Sequence, residues 1–288
     1  MARRKPISWP RSKRIDPTCD STWIAEVNGE WILRTTFVVS DCPMQDADVT
    51  LRVARDGSVS EVARTLQPKT GGCAGRRPEG LAPARTLSSS PVGDYFATMA
   101  HLEAASVHAF RILRDELVEH AAPQTLVARA ERAMRDEVRH AAVMARLAKR
   151  YGADVAPVVV ESRSGRSLEE IALENAREGC VRELYGALEA TWQATSVAEP
   201  ALARIMTTIA RDETRHAELS LDVADWLESV LDDEANARVA SARAAAFREL
   251  AAELSIGRSH DLGDVGLPNR TEAMTLVERL ESALSIAA

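Results

Sequence analysis

The stretch Arg135-Asp136-Glu137-Val138-Arg139-His140 returns 76 residues later as Arg211-Asp212-Glu213-Thr214-Arg215-His216, with five of six positions identical. Both copies lie in sequence rich in Ala, Leu, Glu and Arg, the composition of long helices. A Glu and a His three residues apart share one helix face and can reach one metal ion together. That face is apolar. Ala133, Met134, Ala141 and Met144 flank Glu137, and Ile209, Ala210 and Ala217 flank Glu213. Ionised carboxylates turned toward such a core are costly unless cations offset them.

The repeat reaches further upstream. Glu103-Ala-Ala-Ser-Val-His-Ala-Phe110-Arg-Ile-Leu113 lies over Glu178-Gly-Cys-Val-Arg-Glu-Leu-Tyr185-Gly-Ala-Leu188, and these glutamates precede those of the next helix by 34 and 35 residues. Two helical hairpins of one design are expected, each giving a lone glutamate and a Glu-x-x-His. One such motif alone reads as a solvated helix face; the doubled, aligned set predicts a metal pair. The expected ligands are Glu103, Glu137, His140, Glu178, Glu213 and His216, whose four carboxylates balance two divalent cations. A metal-bound imidazole normally donates its other N–H to a carboxylate. Asp136 is therefore expected to orient His216 and Asp212 to orient His140, with Arg139 and Arg215 pairing those aspartates.

Neighbouring polar residues carry weaker expectations. Glu174 shares the face of Glu178 and is a candidate seventh ligand or proton carrier. His108 and Glu183 follow the expected ligands by five residues, about 140° around an α-helix, so interhelix contact is expected of them. Tyr185 packs or hydrogen-bonds near the metals, Cys180 is a small buried residue, and His101, His120 and His260 are surface or structural.

Outward from the motif, the sequence predicts helices over about 94–120, 123–151, 167–196 and 199–231, punctuated by Pro123, Gly152–Gly165 and Pro200. Two more are expected over 233–255 and 271–287. Residues 20–66 read as four strands, with Asn28-Gly29 and Asp56-Gly57 as hairpin turns. Residues 67–93, rich in Gly, Pro and Ser, read as a linker. The expected organisation is a β region and linker (1–92), a four-helix bundle (93–231) and a helical extension (232–288). The fold class is mainly α with a small N-terminal antiparallel sheet.

Composition narrows the class. The 288 residues are 45% hydrophobic and 27% charged, as in a globular protein, and no apolar run approaches a membrane span. Of the net charge of -7, the first ninety residues carry a surplus of four positive charges, leaving -11 on the helical part. An acidic helical region predicts no nucleic-acid partner. The basic N-terminus lacks an apolar stretch behind it, so a cytoplasmic location is expected. Cys19, Cys42, Cys73 and Cys180 form no C-x-x-C pair; a disulfide among the first three is left open.

The doubled D-E-x-R-H, with its aligned glutamates, resembles the ferritin-like di-iron carboxylate superfamily over residues 94–230. It is most similar to the oxygen-activating branch, which includes bacterial multicomponent monooxygenases and tRNA-modifying di-iron hydroxylases. The resemblance implies a ferritin-like four-helix bundle holding two iron ions, with manganese or a mixed pair as alternatives. It implies an O2-dependent oxidase or monooxygenase for a small-molecule substrate. With no flavin, nicotinamide or iron–sulfur motif in the sequence, a separate electron donor is expected, and a homodimer is a candidate assembly. A ferroxidase is the first alternative. A rubrerythrin-like peroxidase comes next, although the second glutamate expected three residues after Glu178 is Val181.

Overall fold

The computed structural model describes residues 23–41, 44–69, 75–84, 88, 90–161, 165–258 and 260–287. The disulfide left open among Cys19, Cys42 and Cys73 and the basic N-terminal tail lie outside them. The chain divides into two compact units, Met1–Lys69 and Thr70–Ala288.

The first unit is an antiparallel meander of β1 (Trp23–Val27), β2 (Glu30–Asp41), β3 (Met44–Val53) and β4 (Val59–Leu66), in that order across the sheet. Asn28 and Gly29 both take positive φ, 55° and 77°, as a two-residue hairpin turn requires. The Arg55 guanidinium donates to both of their carbonyls at 3.2 Å. β3 starts earlier than the sequence suggests, because Ala47 and Val49 alternate inward among acidic neighbours and are buried. β4 is exposed along its whole length.

The second unit is helical: α1 (Pro91–Glu119), α2 (Gln124–Arg150), α3 (Leu168–Glu174), a π-helical segment (Asn175–Glu183), α4 (Leu184–Ser196), α5 (Pro200–Val230), α6 (Asp233–Ile256) and α7 (Arg270–Ala287). Ser90 caps α1, its hydroxyl accepting from the Gly93 amide, and Ser167 with Glu170 forms a capping box on α3. Pro200 stands at the first turn of α5 and Asp232 caps α6. The rod α3–π–α4 is continuous, so the expected boundaries hold while its winding does not.

Short loops fold α1 against α2 and α4 against α5. Two apolar layers form between these rods. One gathers Phe96, Met144, Leu202 and Met206; the other gathers Phe110, Leu113, Leu126, Ile171, Leu219 and Val223. Each such side chain contributes about 1.5–3 kcal/mol by leaving water. Helices α6 and α7 lay Phe247, Leu250 and Val277 on Val181 and Tyr185.

Residues 75–84 and 88 do not stand apart as a linker. They lie on the helical unit, pairing with the connection from α2 to α3: Ala82 donates to the Val159 carbonyl at 2.9 Å and Glu161 to that of Gly80 at 3.0 Å. Gly80 has φ +80°, and a Cβ there would meet the Glu161 carbonyl oxygen at 2.2 Å, so only glycine fits. Among the described residues, no helix is long and apolar enough to cross a membrane.

Candidate metal centre

Between the two apolar layers lies a buried polar layer. α2 brings Glu137 and His140 inward, α5 brings Glu213 and His216, and α1 brings Glu103, each at most 8% exposed. The remaining member is Glu183, 1% exposed, from the end of the π-helical segment.

These residues form two overlapping groups whose ligand atoms lie within 4.8 Å of one another: Glu103, Glu137, His140 and Glu213, then Glu137, Glu183, Glu213 and His216. His140 Nδ1 stands 3.6 Å from Glu103 Oε2, 3.7 Å from Glu137 Oε2 and 3.0 Å from Glu213 Oε1. His216 Nδ1 stands 2.9 Å from Glu137 Oε1, 3.5 Å from Glu183 Oε1 and 3.6 Å from Glu213 Oε2. Glu137 and Glu213 thus turn one oxygen to each group, and each group has one imidazole nitrogen and three carboxylates.

Several of these atoms have no hydrogen-bond partner although fully enclosed: Glu137 Oε2, His140 Nδ1, Glu183 Oε1, Glu213 Oε1 and His216 Nδ1. Buried polar atoms are nearly always satisfied, and leaving one unmade costs about 1–3 kcal/mol. Five such atoms converging on two points fit a pair of cations. The buried Glu and His side chains could hold a metal ion.

The layer behind the imidazoles is crossed. Asp212 Oδ2 lies 3.2 Å from His140 Nε2, and Asp136 Oδ2 lies 3.4 Å from His216 Nε2. Arg139 pairs with Asp136 and reaches Asp212 Oδ2 at 3.3 Å; Arg215 pairs with Asp212 and reaches Asp136 Oδ2 at 3.2 Å. Each aspartate therefore ties α2 to α5 and leaves Nδ1 as the inward nitrogen.

Electrostatics follows the same geometry. Burial works to keep both imidazoles neutral, but facing carboxylates outweigh it and push both well above the usual histidine range. Burial raises Glu183 to about 7 against its contact with His216, and burial with the nearby Glu137 raises Glu103. Asp136 and Asp212 resist their burial: His216 and Arg139 hold the first below the usual carboxylate range, and Arg215 and His140 the second. Without cations, Glu103, Glu183 and both imidazoles would favour their protonated forms, the behaviour of groups that exchange protons for metal.

No family model, curated protein or solved structure matches this chain.

The structure does not bring Glu178 into either group. Its Oε2 accepts from the Arg77 amide at 3.2 Å and lies 3.8 Å from Arg77 Nε, while Oε1 lies 3.9 Å from Arg182 Nε. Burial raises its pKa, with both arginines opposing. Glu183 occupies the inward place instead. The 100° step that set it off the ligand face applies to α-helix; a π turn closes i→i+5 and is wider. Packing selects that winding. Gly179 approaches α5 so closely that a Cβ would meet Ser220 Cβ at 2.9 Å, and Asn175 donates to the Ser220 carbonyl at 2.9 Å.

Glu174 also stays out of both groups, paired with Arg166 at 3.0 Å and Arg76 at 3.5 Å. Arg76 is fully buried, donates to Asn175 Oδ1 at 3.1 Å and lies 5.8 Å over the Phe110 ring. Phe110 in turn packs on His216, ring centres 5.0 Å apart. Nothing periodic in the sequence marks Arg76. The single signal was its place in a Gly/Pro-rich stretch beside a hydrophobic unit.

Proposed function

We propose that this chain is a di-iron carboxylate oxidoreductase built on a ferritin-like four-helix bundle, activating O2 toward a small organic substrate. The observation that carries the reading is the pair of donor groups sharing Glu137 and Glu213, with their enclosed, partnerless atoms aimed at two points. A donor set of imidazole and carboxylate without thiolate suits iron or manganese rather than a soft metal. A reduced iron pair supplies the electrons that activate O2.

The chain's own residues do the rest. Glu137 and Glu213, common to both donor groups, would each serve both cations. Glu103 with His140 completes one coordination set, and Glu183 with His216 the other. Asp212 and Asp136 fix which imidazole nitrogen faces inward. Four carboxylates against two divalent cations would leave the buried layer neutral, removing the several kcal/mol that each buried charge would otherwise cost. Beside the carboxylates lies a cavity of about 40 Å³, walled by Met99, Leu102, Met144, Met206 and Ile209. Electrons would come from a donor other than the bundle itself.

The cavity's size also favours a second reading, oxidation of Fe2+ itself. A volume of about 40 Å³ has room for O2 or a few waters but not for an organic molecule.

Metal analysis of aerobically purified protein, with optical spectra before and after reduction and O2 addition, tests the proposal. Two irons per chain and an O2-dependent spectral change are expected, both abolished in Glu137→Ala and His216→Ala. Full metal occupancy in either variant would refute the ligand set. Mineralised iron in a large shell would favour the second reading.

A further inference from the structure

A larger pocket lies between the end of α6 and the start of α7, about 330 Å³, within the size range of small-molecule sites. One side is apolar, formed by Leu254, Leu262 and Ala273; the other carries Arg258, Arg270 and His260. Its single acid, Asp261, already accepts from the Gly263 amide at 2.9 Å. The pocket is therefore cationic on one side and greasy on the other.

Arg258 is also the wall toward the metal centre. Its Nη2 donates to Glu189 Oε2 at 2.7 Å, and its Nη1 to the Pro268 carbonyl at 3.3 Å. Glu189 is buried and lines the small cavity beside Glu103, Glu183 and Glu213. Tyr185 donates to the same Glu189 oxygen at 3.4 Å. One ion pair thus separates a space large enough for an organic molecule from one that touches the candidate metal ligands. The chain itself shows what Arg258 takes: a carboxylate.

We propose that the α6–α7 pocket is the entry vestibule of the metal centre and binds a small amphipathic carboxylic acid that competes with Glu189 for Arg258. Its carboxylate would sit on Arg258 and Arg270, its apolar part on Leu254 and Leu262. Taking Arg258 from Glu189 opens the partition, so ligand binding and access to the inner cavity are linked. This deepens the proposed function by naming a substrate class and a route.

Benzoate is the probe, titrated calorimetrically into metal-free full-length protein so that the result does not depend on the metals. Arg258→Met should weaken binding about tenfold or more, because a part-buried charge partner is lost. Benzyl alcohol, of similar shape without the charge, should bind weakly. Glu189→Gln, nearly isosteric, should tighten benzoate binding several-fold by removing the competitor, a direction that a merely structural role would not produce. Absence of benzoate binding, or binding indifferent to both substitutions, would overturn the proposal.

A second measurement addresses the route. In Co2+-loaded protein, benzoate should speed removal of the metal by dipicolinate, as should Glu189→Gln alone. Unchanged removal rates alongside benzoate binding would overturn the vestibule role. Failure to load Co2+ would instead count against the metal reading, while the metal-free titration would still decide the ligand class.

Discussion

Asp136 Oδ2 and His216 Nε2 stand 3.4 Å apart across α2 and α5, and Asp212 with His140 repeats the contact in the opposite sense at 3.2 Å. Each hairpin's aspartate therefore holds the other hairpin's imidazole. Asp136→Asn should keep the fold yet lower metal affinity by about 10–100-fold, because the amide supports the wrong tautomer or none. Competition against a chelator of known strength measures it; unchanged affinity would show that the aspartate does not orient the imidazole.

Glu183 and Glu178 make opposite forecasts. Glu183→Gln should leave one metal per chain where two were bound, since it belongs to a single donor group. Glu178→Gln should keep both, because its oxygens face Arg77 and Arg182. Metal-to-protein ratios after gel filtration decide between them.

Arg166 depends on Glu116, which it meets twice, at 2.6 and 2.8 Å, with both side chains 6% exposed. Glu116→Ala would leave a buried guanidinium with Glu174 at 3.0 Å and the exposed Glu79 at 3.7 Å but without its twofold partner. A loss of about 3 kcal/mol or more in urea unfolding is expected, the range for breaking a buried pair. A loss below about 1 kcal/mol would place the pair with ordinary exposed salt bridges.

Burial raises the Cys180 thiol to about 11. Unfolding would expose a thiol that ionises about two units lower, so between those values the unfolded chain binds fewer protons and stability falls as pH rises. The loss reaches up to about 3 kcal/mol, and Cys180→Ala should remove it. Unfolding of both proteins at about pH 8 and about pH 10 tests the slope.

Much of the helical unit was legible because its signals are local. Pro123, Gly152–Gly165 and Pro200 bound helices that begin and end within a few residues of expectation, and the 76-residue repeat singled out Glu137, His140, Glu213, His216 and their aspartates, which the fold brings together. The error at Glu178 is instructive. The alignment with Glu103 assumed that both rods wind alike, and winding at 175–183 is decided by contacts with α5 and by Arg76 on Asn175. Those lie far apart in sequence and have no periodicity. A weak sign existed in Gly179, a small residue in the middle of a helical run. Glu189 and Arg258 were invisible for the same reason: each is an ordinary helix or loop charge until the fold joins them.

The alternation of donors between hairpins has a consequence for ancestry and assembly. Neither hairpin alone contains a complete coordination set, since each cation would need one carboxylate from the opposite α2 or α5. A half-length forebear could have gripped metal only by pairing with a copy of itself about a twofold axis. In this chain the same arrangement would make bound cations a clasp between the two hairpins, so stripping them should loosen the seam between α2 and α5 before either hairpin melts.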